Sequence, residues 1–149
     1  IVPASIGMIV NPVPGVPYKM SMFHGNHGKD LYFIGKARDS QPWYMTSSDY
    51  IDEAIDVYLE EVTGGLRLYF FVDDVKTYLD MHKDGTHYSL RLTTTPTAVY
   101  TWNTEYNTLV AQVEDKQCFI GTSGTASYYT FSCNKMDYIS SSYPARFYN

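Results

Sequence analysis

The feature that most constrains this chain is a unit that occurs three times. Tyr18-Lys-Met-Ser-Met-Phe leads through a Gly-rich turn to Asp30-Leu-Tyr-Phe-Ile34-Gly35. Leu66-Arg-Leu-Tyr-Phe-Phe leads through Asp73-Asp74 to Val75-Lys-Thr-Tyr-Leu79-Asp80. Thr108-Leu-Val-Ala-Gln-Val leads through Glu114-Asp115 to Lys116-Gln-Cys-Phe-Ile120-Gly121. Each unit reads as a strand, an acidic or Gly-containing turn, and a second strand, because residues that alternate with period two present one face to a core and the other to water. Ile34, Leu79 and Ile120 stand 45 and 41 residues apart. Glu53 to Tyr58 and Thr97 to Trp102 keep the same phase, at an offset of 44.

A repeat fixes an architecture in a way that single strands do not. Units of about four short strands at a period near 40 residues predict an all-β chain, a β-trefoil-like barrel of about 12 short strands in which six strands close the barrel and three hairpins cap it. An irregular antiparallel β-barrel or sandwich is the alternative. The third unit reads as truncated, since after Phe131 only Asp137-Tyr138-Ile139 offers a fourth strand before Ser140-Ser141-Ser142. Residues 50 to 62 carry two readings. Ile51, Ala54, Ile55, Tyr58, Leu59 and Val62 fall at helical spacing, while Ile55 to Leu59 alternate, so a full helix competes with a short helical turn near Ser48 to Glu53 followed by a strand.

Residues 1–17 stand apart. Pro3, Pro12, Pro14 and Pro17, with Gly7 and Gly15, leave little room for a ladder of backbone hydrogen bonds, so this stretch reads as an extended arm ahead of one domain over residues 18–149. A chain that starts on Ile1 rather than Met fits a processed product, and processing is common among secreted proteins, which makes secretion the expectation.

Charge narrows the partners. Eleven Lys and Arg against sixteen Asp and Glu leave a formal charge of -5, which repels phosphate backbones, so nucleic acid is a poor partner. No run of 18 apolar residues exists, so membrane insertion is not expected. The unusual count is 15 Tyr beside 7 Phe and 2 Trp, since aromatic rings favour strands and also form stacking platforms.

Motifs for chemistry are weak. His24-x-x-His27 and His82 with His87 match no closed zinc motif, and turn histidines facing solvent are the expectation. Asp80-x-His82-x-Asp84-Gly85 imitates the opening of a calcium loop, but its twelfth position is Arg91, whose cation cannot replace a bidentate carboxylate. Adjacent acids such as Glu60-Glu61 point to opposite faces of a strand, and no nucleophile has a visible base. The expectation is therefore no enzyme, no metal and no cofactor. Cys118 and Cys133 bracket a turn, and a hairpin centred between Thr125 and Ala126 sets them opposite each other, which predicts a disulfide in an oxidising compartment. Trp43 and Tyr44, in a loop before a strand, and Trp102, where the second unit meets the third, carry the binding signal.

The threefold pattern over residues 18–133 resembles β-trefoil lectins and fascin-like interaction modules, and Gln41-Pro42-Trp43 looks like the Gln-x-Trp signature of ricin-B lectins. That resemblance implies a binding module on a fold that hosts many functions, and the residues themselves suggest a secreted carbohydrate-binding module whose shallow pockets have an aromatic floor, from Trp43, Tyr44 and Trp102, with Asp80 and Asp84 gripping hydroxyls. The alternative is a structural domain that assembles with other copies of itself through the arm Ile1 to Pro17 and the aromatic tail Tyr143 to Tyr148.

Overall fold

A computed structural model describes Ile9, residues 11–123 and residues 128–149. The expected strand residues Ala126 and Ser127, and most of the arm, lie outside the described residues. Thirteen strands follow in order: β1 (Lys19–His24), β2 (Lys29–Ala37), β3 (Met45–Ser48), β4 (Tyr58–Val62), β5 (Gly65–Val72), β6 (Val75–Asp84), β7 (His87–Thr93), β8 (Tyr100–Asn103), β9 (Thr108–Val113), β10 (Lys116–Ser123), β11 (Thr130–Lys135), β12 (Ser142–Pro144) and β13 (Arg146–Tyr148). The chain is all-β and every named pairing is antiparallel. Its sheet follows the path β13-β1-β2-β3-β11-β10-β9-β8-β5-β6-β7 without closing, with β12 added to β10 and β4 to β5.

The pairings recur in step with the sequence units. β1 with β2, β5 with β6, and β9 with β10 form the three hairpins that the repeats predict. Each second strand then pairs onward, β2 with β3, β6 with β7, and β10 with β11. Each first strand also takes a partner from outside its hairpin: β13 on β1, β4 on β5, and β8 on β9. The acidic turn of the second unit works as its residues suggest, with Asp73 and Asp74 both at positive φ (48° and 64°), a conformation that short polar side chains tolerate.

One core serves all three units. Met20, Met22, Leu31, Phe33, Leu59, Leu68, Phe70, Leu79, Leu109, Ile120, Phe131 and Phe147 are buried together. Phe33 meets Phe70 edge to face at 5.2 Å and Phe131 at 5.8 Å, so a ring from each unit shares one contact. Each such ring contributes roughly 1.5–3 kcal/mol by leaving water.

Of the two readings of residues 50–62, the short turn followed by a strand is the one that forms: Ile51–Glu53 is a single 3-10 turn, and β4 follows. Ser48 sets this turn, accepting the Tyr50 N–H at 3.0 Å and donating to Glu53. The third unit is not truncated. Asp137-Tyr138-Ile139 falls in a 3-10 helix (Met136–Ser141), and β12 and β13 supply the closing strands. The aromatic tail thus pairs within its own chain, on β10 and β1. The described part of the arm does the same: the Ile9 N–H donates to Phe147 O at 2.7 Å, Gly15 N–H to Leu59 O at 2.9 Å, and Val13 N–H to the Tyr18 hydroxyl at 2.7 Å. None of the described residues forms a helix long and apolar enough to cross a membrane.

Candidate functional site

The site starts from the loop between β2 and β3. Arg38 N–H donates to Tyr44 O at 2.9 Å, Gln41 N–H to Arg38 O at 3.2 Å, and Tyr44 N–H to Gln41 O at 3.0 Å, so the loop closes on itself. Leu90 N–H then donates to Trp43 O at 3.3 Å and ties the loop to β7. A backbone held at these points presents the Trp43 indole outward, 43% exposed. Tyr44 lies 5.9 Å from Trp43 and 5.9 Å from Tyr128, whose ring carries the Arg38 guanidinium at 4.1 Å.

Across from the loop stands the hairpin β6–β7. Its turn at Gly85 has φ 62°, which brings Asp84 opposite His87. Beside it runs β11 with Ser132, Cys133 and Asn134. Together these segments enclose a cavity of about 420 Å³ lined by Gln41, Trp43, Tyr44, Asp84, His87, Tyr88, Ser89, Ser132, Cys133 and Asn134. Tyr88 is fixed there, its hydroxyl donating to Asp115 at 2.5 Å while Lys83 lies over its ring at 5.1 Å. That hydrogen bond pushes the Tyr88 phenol above its ordinary value, and it holds the Asp115 carboxyl below the usual carboxylate range. Tyr88 therefore stays a neutral donor.

Trp43, Tyr44 and Asp84 are thus brought together by the fold. Asp80 and Trp102 are not. Asp80 is buried, accepts Arg91 Nε at 2.8 Å, Ala98 N–H at 2.8 Å and Thr97 N–H at 3.3 Å, and is consumed in holding the chain before β8. The Arg91 that breaks the calcium-loop pattern is the partner of the residue that opens it. Trp102 shares the inward phase of Tyr100 and packs 5.9 Å from Phe147. Among the described residues no group of three or more His, Cys, Asp or Glu is placed to hold a metal ion.

Two local expectations are corrected. His24 is not a solvated turn residue but fully buried, because β1 extends through it and the inward alternation Met20, Met22 continues to position 24. Its Nε2 lies 2.7 Å from Tyr128 O, and Nδ1 has no partner among the described residues. Cys118 and Cys133 are free thiols. The register sets Cys118 opposite Lys135 and Cys133 opposite Ile120, so the two are diagonal neighbours beyond the geometry of a disulfide. Hydrogen bonding to Cys118, with burial, pushes the Cys133 thiol up. Both cysteines are therefore expected to react with a maleimide in unfolded, unreduced protein, and mass spectrometry that finds either one blocked by the other would contradict the register.

Tyr88, Asn134 and the two serines of the cavity are not singled out by the sequence, and His87, read there as a solvated turn histidine, is exposed and lines the cavity. Tyr88 carried a signal, an aromatic heading the alternating run Tyr88 to Leu92, while Asn134 carried none. No family model, no curated protein and no solved structure matches the chain. The site is accordingly read from its own residues.

Proposed function

We propose that the chain is a non-catalytic binding module, laid out as a β-trefoil, that holds carbohydrate in the cavity between the β2–β3 loop, the β6–β7 hairpin and β11. The threefold recurrence of strand pairings supports the layout. The exposed Trp43 indole beside a cavity rimmed by Asp84, Asn134 and Gln41 carries the functional reading. A sugar ring has apolar C–H faces that stack on aromatic rings, and edges of paired hydroxyls that suit carboxylate and amide groups, which accept or donate at two atoms.

Asp84 is the sole carboxylate among the residues lining this cavity, whereas glycoside hydrolysis ordinarily uses two carboxyl groups flanking the bond.

A glycan array, followed by titration of its best binder, tests this. Trp43→Ala is expected to weaken binding by about tenfold or more, the loss of roughly 1.4 kcal/mol of stacking and apolar contact. In a Trp102→Phe background, Trp43 fluorescence should shift with the same midpoint. An array with no binder, or a Trp43→Ala protein that binds as well as the parent, would refute the assignment.

A further inference from the structure

The cavity does not end at Asn134. A second depression of about 270 Å³ shares His87, Tyr88, Cys133 and Asn134 with it and adds Thr86, Lys135 and Tyr138. Their four shared lining residues make the two neighbours along β7 and β11, a trough in two parts with the Trp43 indole lining one and the ring of Tyr138, 55% exposed, lining the other. One sugar fills only part of such a trough.

The far end differs in charge from the near end. Lys135 Nζ lies 5.6 Å from the centre of the Tyr88 ring and 5.5 Å from that of Tyr138. These rings hold the ammonium over the depression without neutralising it. The acids nearby are taken: Asp137 pairs with Lys116 at 3.2 Å, and Asp115 with Lys83 at 3.3 Å and with Tyr88. No carboxylate among the described residues pairs with Lys135. The near end carries Asp84 instead. The trough is therefore polar along its length, with an acceptor at one end and an uncompensated cation at the other.

We propose that this trough takes an acidic oligosaccharide of two or more sugars, a neutral ring stacked on Trp43 and an anionic group, carboxylate or sulfate ester, on Lys135 between Tyr88 and Tyr138. The inference rests on the carbohydrate reading of the first cavity and names its ligand class. It also reconciles an acidic chain with an anionic ligand: the formal charge of -5 disfavours long polyanions, while a single fixed cation in a groove still selects one negative group.

The test is an array of oligosaccharide sets identical except at C6 of one terminal sugar, which is a hydroxymethyl, a carboxylate or a sulfate ester, read at about 150 mM salt so that unspecific charge effects are screened. One or both anionic members should bind about tenfold tighter than the neutral one, as a charge-assisted hydrogen bond allows. Lys135→Gln should erase that preference and leave neutral affinity within about twofold, while Trp43→Ala weakens every member. Melting curves of the two variants that match the parent show that both are folded. Neutral and anionic members bound alike, or a preference that survives Lys135→Gln, would overturn the acidic end and leave the carbohydrate reading standing. No binding to any member would overturn both.

Discussion

Asp80→Ala is expected to cost the fold about 3 kcal/mol, lowering the melting temperature by roughly 10 °C. The carboxylate is 1% exposed and sits on β6 between the buried Leu79 and Met81. It is the acceptor for the Ala98 N–H, itself buried, and for Thr97 N–H, two donors that have no strand partner because β8 begins only at Tyr100. Removing it orphans both and strands Arg91, whose side chain is 35% exposed. A donor left buried without a partner costs about 1–3 kcal/mol, while the partial exposure of Arg91 keeps its own loss small. Asp80→Asn separates the terms. An amide oxygen still accepts from Ala98 but no longer pairs with the guanidinium, so only the smaller part of the loss, about 1 kcal/mol or less, should remain. Chemical denaturation of the three proteins, with a common dependence on denaturant, measures this. An Asn variant as unstable as the Ala variant would assign the whole effect to charge, contrary to this account.

Asp80 also shows where reading the sequence stops. As a residue near His82 and Asp84 it has the makings of a ligand group, and nothing in the run Leu79-Asp80-Met81-His82 says that both faces of the strand are covered there. Burial comes from residues 97 and 98, brought in from the other side of the next hairpin, a contact across 17 and 18 positions that no local pattern encodes. The period-two set Met20, Met22 reaches His24 and makes its burial legible, whereas its neighbours Gly25 and Asn26 look like turn formers and point the other way. Trp102 yields to the same argument from Tyr100. The three hairpins were readable because turn and alternation agree within each of them. The tail was not, because Ala145 divides it into two three-residue strands, Ser142–Pro144 and Arg146–Tyr148, too short for alternation to register. Trp43, Tyr44 and Asp84 stand out in the sequence by type, two aromatics in a Gln-Pro loop and an acid before Gly85, and the fold sets them around one cavity. Asn134 and Ser132 become functional candidates only through the packing of β11 beside β7.

Gly121→Ala is the second large effect, expected at about 2–3 kcal/mol from steric conflict with backbone. Gly121 lies on β10 where that strand is paired on both sides, with Ser132 of β11 and Pro144 of β12. A Cβ at this position would fall inside the van der Waals radius of the Tyr143 carbonyl oxygen and 2.9 Å from Pro144 Cα. Neither neighbour is a side-chain tip that rotates away. To admit one methyl group, β12 must separate from β10, which also strains the 2.8 Å hydrogen bond from Ala145 N–H to Ile120 O and the 2.7 Å bond from Thr108 Oγ1 to Ala145 O. Gly35 occupies the corresponding place in the first unit and is likewise crowded, its would-be Cβ 2.5 Å from Ile55 Cδ1, but there the neighbour is a flexible side-chain end and the strain comes from a φ of 74°. Gly64→Ala is the control, since φ there is 88° with nothing within 4 Å, and its cost of about 1 kcal/mol comes from the backbone alone. Hydrogen exchange locates the damage: Gly121→Ala should lose protection at Thr122 and Ala145 before the β5–β6 hairpin, whereas Gly64→Ala should leave that third-unit seam intact. Equal losses of stability in the two variants, or exchange that rises evenly across the chain, would mean that β12 does not close the third unit against β10.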